Sequence, residues 1–362
     1  MTKECVVHLT QSFGCGGLER VIANLISHPD SQRVNHVVVS LSDDTSFKYA
    51  LPDNVDVVSV NKKPGKDFGA HFRIFKLLKK YRAATLHTYN FGTIEYHLIA
   101  KLAGVRKHVH ADHGLGGDHP EGKNAKHNAF RRLISHIIDN YIVVSDDLKK
   151  WVTEVVGVNK EKVRFVFNGV EIHPHEAPKP RHRKQLNTVI VGRLAKVKNH
   201  IRLIEALSHI ERTHPELTVN CTIVGEGAER GAIEQALKSK LTHPNRVTLA
   251  GHQSDVNTFI RKADALILSS DYEAMPMTVL EAMSLSTPVV CPKVGGVEDF
   301  ITINEAILTE KHDAQSLAEG IIKLTSMPYD DEVAMVERAH QKVSREYGLD
   351  KMVKTYTDMY TN

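Results

Sequence analysis

No run in this chain approaches the ~18 consecutive apolar residues of a membrane-spanning helix, so no such helix is expected in it. Cysteine is scarce: Cys5, Cys15, Cys221 and Cys291 are scattered with no close pairing. That spacing suggests neither a disulfide framework nor a zinc knuckle. An excess of one charge is missing too. Against 47 Lys and Arg stand 43 Asp and Glu, a net +4 with the signs interspersed, too balanced to imply nucleic acid as a partner. The opening residues, Met1-Thr-Lys-Glu-Cys-Val-Val-His, lack the long apolar core of a signal peptide. No internal repeat or low-complexity tract stands out. These absences lead to the expectation of a cytoplasmic protein with reduced cysteines.

What is present is an alternation. A chain of 362 residues is long enough for two domains, each with its own core. Short β-rich runs at 4–9, 36–40, 55–60, 84–87, 107–111, 141–144 and 163–167 are separated by amphipathic stretches, among them 18–25, 94–103 and 129–138. The segment Ile172-His-Pro-His-Glu-Ala-Pro-Lys-Pro-Arg-His-Arg-Lys184 is dense in proline, charge and histidine and reads as a linker. The pattern then restarts with runs at 186–191, 219–224, 246–250, 265–268 and 287–291. Strands alternating with helices make parallel sheets covered on both faces. The fold class expected is α/β, with two doubly wound Rossmann-like domains facing a cleft: 1–172, a linker at 173–185, and 186–345. In such sheets ligands bind beyond the carboxyl ends of the strands, where the glycine turns lie.

Two carboxylates in Glu273-Ala-Met-Pro-Met-Thr-Val-Leu-Glu281 carry the most specific chemical signal. An apolar run ending in Ser269-Ser270 precedes them, and Thr287-Pro-Val-Val-Cys-Pro292 and Gly295-Gly296 follow. The order is buried strand, turn, helix, strand and glycine turn. Pro276 suits the first helical turn, where its missing N–H costs nothing. Eight residues are a little over two helical turns, which keeps Glu281 near the face of the helix start. Free N–H groups at a helix start accept an anion, and a carboxylate further along accepts hydroxyl hydrogen bonds. Phosphate plus ribose fits such a site. Taken alone, the pair would also fit an ordinary solvated helix.

With its flanking segments this pair resembles the glutamate pair of retaining, nucleotide-sugar-dependent glycosyltransferases of the GT-B fold, the family 4 type (glycosyl transferases group 1). The resemblance covers nearly the whole chain. Gly16-Gly-Leu-Glu19, Asp112-His-Gly114, Gly122-Lys-Asn124 and Val144-Ser-Asp-Asp-Leu148 narrow it toward the sugar transferases of bacterial exopolysaccharide gene clusters. It implies that Glu273 contacts the transferred sugar and Glu281 the ribose hydroxyls. Gly192-Arg193-Leu-Ala-Lys196-Val-Lys198-Asn199 is then the diphosphate segment, with Arg193 clamping phosphate and Lys198 acting as a point charge. Lys196 reads as a solvated bystander. Gly251 and His252 fall where the family reads the nucleotide base, and Gly225-Glu-Gly227, an incomplete dinucleotide fingerprint, lies near it. In the first domain the resemblance places Gly16 and Gly17 across the cleft from the diphosphate. It makes His113 the catalytic candidate beside the reacting carbon. The last helix, within 346–362, is expected to cross back to the first domain. One departure is Ala274, where the family often has glycine.

Histidine is abundant at 22 residues, so each one carries little weight. His87 and Asn90, at another strand end, are acceptor-side candidates. His108, His110 and His113 lack a metal-ligand spacing, and no metal and no cofactor is expected beyond the nucleotide sugar itself, with a UDP-sugar favoured over a GDP-sugar. Asp112 and Asp118 leave open an inverting mechanism with a carboxylate base. The basic stretch 62–82, with Phe68, Phe72, Phe75 and Leu78 at helical spacing, fits either a helix laid on its own sheet or contact with an anionic membrane surface. The expected activity is transfer of a hexosyl-type sugar from a nucleotide diphosphate to a saccharide or lipid-linked saccharide. The alternatives are a GT-B sugar-nucleotide epimerase or hydrolase, and a non-catalytic GT-B binding protein. A dinucleotide oxidoreductase is disfavoured by Arg230 at the third glycine position.

Overall fold

The computed structural model describes residues 3–115, 122–178 and 184–361. The chain divides into two compact units, 1–169 with 349–362 and 170–348. In the first unit the strands are β1 (Cys5–Thr10), β2 (Asn35–Ser40), β3 (Asp56–Ser59), β4 (Ala83–Tyr89), β5 (Lys107–Asp112), β6 (Asn140–Val143) and β7 (Val163–Phe165). Their order is β3-β2-β1-β4-β5-β6-β7, with every pairing parallel. The order reverses between β1 and β4, which are neighbours in register from Val6↔Thr85 onward.

Helices cover both faces of this sheet, whose central strands β1 and β4 are buried along their whole length. Helices Phe68–Lys80 and Tyr96–Leu102 lay Ala70, Ile74, Leu78, Tyr96 and Ala100 on a core with Val7, Leu9, Val37, Val39 and Leu86. Asp67 starts the first of these helices by accepting from Ala70 N. The opposite face receives the last helix, Leu349–Thr361, whose Tyr356 and Tyr360 are buried. Its Asp350 bonds His28 at 2.8 Å, and its Tyr360 carbonyl accepts from Lys107 Nζ at 2.8 Å.

The second unit holds β8 (Gln185–Val191), β9 (Thr218–Val224), β10 (Val247–Gly251), β11 (Ala265–Ile267), β12 (Val289–Pro292) and β13 (Ile307–Thr309). Their order is β10-β9-β8-β11-β12-β13, again all parallel, with the reversal between β8 and β11. Residues just after the boundary are anchored here: His173 N donates to Ser284 Oγ, and Ser286 Oγ bonds both His175 Nδ1 and Glu176 N. The linker reading at 173–185 falls partly outside the described residues, at 179–183.

Candidate functional site

In the second unit the carboxyl ends of β8, β9 and β10 are laced by backbone. Gly192 N donates to Val224 O at 3.0 Å, and Gly225 N to Gly251 O at 2.8 Å. Gly225 has φ 144°, and a Cβ there would lie 2.0 Å from the Gly192 carbonyl oxygen. The contact of these two turns therefore requires this glycine. The turn after β8 leads into the 3₁₀ segment Lys196–Lys198. Its last two residues meet the segment after β11: Asp271 N donates to Val197 O at 2.7 Å, and Ser269 Oγ to Lys198 O at 2.9 Å.

Those clips set the side chains. Lys198 Nζ stands 2.6 Å from Glu273 Oε1, and Ser270 Oγ donates to the same oxygen at 2.6 Å. Glu273 is buried although charged, and these two donors offset its lost hydration. Its carbonyl is fixed as well, accepting from Gly296 N at 2.8 Å. Gly295, at φ 53°, passes so close that a Cβ would lie 2.1 Å from that carbonyl oxygen. A second cluster braces the first: buried Arg202 pairs with Asp271 and donates to Ser269 O at 2.8 Å, while Asn199 Nδ2 reaches Asp271 at 3.2 Å. Burial pushes the Asp271 carboxyl up, but its bonds from Arg202 and Asn199 outweigh that and hold it below its ordinary value. Glu281 lies in helix Met277–Ser284 and is partly buried. Arg193 is exposed and, among the described residues, its guanidinium has no hydrogen-bond or ion-pair partner. Ala274 keeps a φ outside the left-handed region, so nothing in its backbone demands glycine.

In the first unit β1 leads through a loop strapped to 42–47, with Phe13 N bonding Asp44 O and Phe47 N bonding Phe13 O, both at 3.0 Å. Gly16 caps helix Gly17–Ser27 in extended backbone. A Cβ there would meet only the movable end of Glu19, so the fold itself does not require this glycine. Asn90 and His113, at the ends of β4 and β5, come together: Asn90 Oδ1 accepts from His113 N at 2.8 Å, with Asn90 at φ 58°. His113 Nε2 is shielded from water and has no partner among the described residues, and burial lowers its pKa to about 4.

Around these strand ends runs a buried polar network, one branch on each face of the sheet. On one face His36 bonds His8 at 2.9 Å, His8 bonds Tyr89 OH at 2.8 Å, and Tyr89 OH bonds His87 at 3.0 Å. His87 then bonds Tyr360 OH of the last helix at 2.7 Å. On the other, His108 bonds His97 at 3.0 Å, and Thr88 Oγ1 bonds both His97 and His110 at 2.8 and 2.7 Å. This branch ends on Asp112, which accepts from Tyr141 OH at 2.6 Å and faces Arg131 Nε at 3.5 Å. Burial pushes the Asp112 carboxyl up, yet His110, Arg131 and Tyr141 more than offset it and hold it at about 2.

The expected residues thus divide. Lys198 joins Glu273 across 75 positions of sequence, and Asn90 joins His113. His87 is completely buried, its ring turned to Tyr360 and Tyr89 rather than to solvent. Asp112 is equally sealed, which removes it as a base for an acceptor hydroxyl, and Asp118 lies outside the described residues. Gly251 ends β10 at φ 69°, and the exposed His252 follows it. Within the sequence cues, Asn124 and Ser145 are helix caps, and the Gly122 carbonyl accepts from Trp151 and Asn128. Ser270 and the Arg202–Asp271 brace were missed. The signal for Ser270 was a small polar residue closing an apolar strand three positions before the glutamate.

Two family models match the chain in succession: Glycosyltransferase Family 4 over residues 15–173 and Glycosyl transferases group 1 over 174–342. The chain is 24% identical over 312 residues to the Escherichia coli UDP-Gal:alpha-D-GlcNAc-diphosphoundecaprenol alpha-1,3-galactosyltransferase, covering 82% of this chain and 79% of that one. It is 30% identical over 207 residues to the glycogen synthase of Mycobacterium tuberculosis, a match that spans 56% of this chain and 48% of that protein. In fold it is similar to Anabaena HepE crystallised with UDP-glucose, with TM-score 0.80, 19% identity and 98% of both chains covered. It is also similar to sucrose-phosphate synthase of Thermosynechococcus elongatus, with TM-score 0.81, 17% identity, and 99% of this chain and 98% of that one covered.

Proposed function

This chain belongs to the glycosyltransferases of family 4 and group 1, enzymes of the GT-B fold that use nucleotide-sugar donors, and on that premise we propose a specific transfer. The protein moves a hexosyl group from a UDP-sugar to a lipid-linked saccharide, with retention, in the synthesis of a bacterial surface polysaccharide. A cytoplasmic location belongs to this reading.

The observation that carries it is the Lys198–Glu273 pair at the sheet reversal between β8 and β11, where open α/β sheets bind ligands. Arg193 and Lys198 take the donor diphosphate, Glu281 the ribose hydroxyls, and Gly251 and His252 the base. Glu273, held by Ser270 and Lys198, takes the sugar. In the first unit Gly16 and Gly17 follow β1 and Asn90 follows β4, again flanking a reversal, with His113 held beside Asn90. His113 enters this scheme neutral, since burial lowers its pKa, and serves as a hydrogen-bond partner to the reacting sugar rather than as a cation. In the transfer, the acceptor oxygen bonds to the anomeric carbon on the face the diphosphate leaves. The carbon–phosphate oxygen bond breaks, and the departing phosphate oxygen takes the hydroxyl proton. The protein contributes position and charge to this step and supplies no nucleophile. The lipid-linked acceptor is supported by the Escherichia coli relative, whose name specifies a diphosphoundecaprenol-linked sugar.

Proton NMR of the product formed from an α-linked UDP-sugar and a short-chain lipid diphosphate sugar tests the reading. An α anomeric coupling is expected. A β coupling contradicts retention, and free sugar without coupled product points to the hydrolase alternative.

A further inference from the structure

Helices Phe68–Lys80 and Tyr96–Leu102 share one core beneath them, so their outer sides form one continuous surface of the first unit. That surface keeps large apolar side chains in water. Phe68 is 80% exposed, Phe72 58%, Leu98 44% and Leu102 75%. Phe68 and Phe72 are one helical turn apart, as are Leu98 and Leu102, so each pair stands on a single outward stripe. The 62–82 stretch is therefore divided. Ile74 and Leu78 face the core and Phe75 packs against it, while the two other phenylalanines do not.

The charge on this surface has one sign. Neither helix contains an acidic residue, and Lys66, Lys76, Lys79, Lys80 and Lys101 are exposed with no acidic partner among the described residues. Lys79 Nζ lies 4.0 Å from where a Gly104 Cβ would sit, which brings the basic ends of the two helices side by side. The nearby acids are engaged at the other end: Asp67 pairs with Arg73 at 2.7 Å, and Glu95 lies 3.8 Å from His71. Lys76 Nζ stands 4.4 Å over the Phe72 ring, an apolar body with a cation beside it.

Exposed aromatic and leucine side chains ringed by unpaired lysines complement an anionic lipid interface, with apolar groups entering the acyl boundary and ammonium groups at the headgroups. We propose that the outer surface of helices Phe68–Lys80 and Tyr96–Leu102 docks the protein on an anionic bilayer. This extends the lipid-linked acceptor reading above, and the following test keeps the two apart.

Flotation with vesicles of phosphatidylcholine, with and without phosphatidylglycerol, should show binding only to the anionic mixture, weakening as salt rises. Lys76→Gln with Lys79→Gln should lower partitioning about fivefold per lysine removed. The triple variant Phe68→Ser, Phe72→Ser, Leu102→Ser should abolish flotation while its stabilisation by UDP stays at the wild-type level. Absence of flotation, or equal flotation of the variants, overturns the proposal. So does a concentration-dependent dimer that the triple variant dissolves, because the surface then belongs to a second copy of the chain. Flotation without any stabilisation by UDP leaves docking standing and removes the donor reading instead.

Discussion

The two units solve the same folding problem with different interiors. In the first, His8, His36, His87, His97, His108 and His110 are buried among tyrosines and threonines; in the second, His200 is the one histidine buried among the described residues. The second unit concentrates charge at strand ends instead, as Lys198 with Glu273 and Arg202 with Asp271. Both units are doubly wound parallel sheets, so the difference is not in topology. It lies in what the strand ends hold: a hydrogen-bonded network of buried rings that closes on the Asp112–Arg131 pair in one, ion pairs at a partly open site in the other. Neutral rings lose their arrangement when they gain protons, whereas ion pairs at a partly open site respond to an anionic ligand. Sensitivity to acid should therefore belong to the first unit and sensitivity to nucleotide to the second.

The largest expected break in that contrast is Asp112→Asn. Asp112 is the carboxylate at the end of the first unit's network, and the substitution leaves buried Arg131 without its acidic partner. Stacking of Arg131 on Phe91 and Trp151 remains but does not replace the charge. Loss of one member of a buried pair costs about 3–5 kcal/mol, which urea unfolding would show as a lower midpoint. A midpoint unchanged from wild type would mean that Asp112 does not anchor the network.

The next effect is in pH. Burial holds His36 and His113 at about 4, and lowers His8, His87 and His97 as well, below the ordinary 6.5. Each ring is thus neutral when folded, and the unfolded chain binds the additional proton. Stability is full above pH 6.5 and falls as pH drops from 6.5 toward 4, by at most about 1.4 kcal/mol per ring per pH unit. Hydrogen exchange across that window should show β1, β4 and β5 losing protection before β8 and β11. Simultaneous loss in both sheets would erase the comparison.

The smallest effect is Ala274→Gly. Since Ala274 already has an ordinary φ, glycine there should cost about 0.4–1 kcal/mol through the unfolded chain and leave turnover unchanged. A rise in turnover would show that the turn before the helix needs freedom that alanine denies.

Much of this was legible in the residues. Apolar runs located nearly every strand, because a strand buried on both faces is mostly apolar. β4 was read as ending at His87 and extends to Tyr89, since Thr88 and Tyr89 are polar by type yet buried in the network. β13 is three residues long, too short to show periodicity. For the site, the order of motifs pointed to Lys198 and Glu273, but no spacing rule could place two residues 75 positions apart at 2.6 Å. His87 shows the converse. A histidine at a strand end reads equally as a ligand contact or as core, and only its bond to Tyr360, 273 positions away, decides.

The central claim is that the second unit binds the donor nucleotide, with Lys198 on the diphosphate and Glu281 on the ribose. Calorimetric titration of UDP into wild type, Lys198→Ala and Glu281→Ala tests it most directly. The account predicts micromolar-range binding to wild type, with affinity falling about 10- to 100-fold in each variant, as loss of a charged hydrogen bond implies. Equal affinity in all three proteins would contradict it.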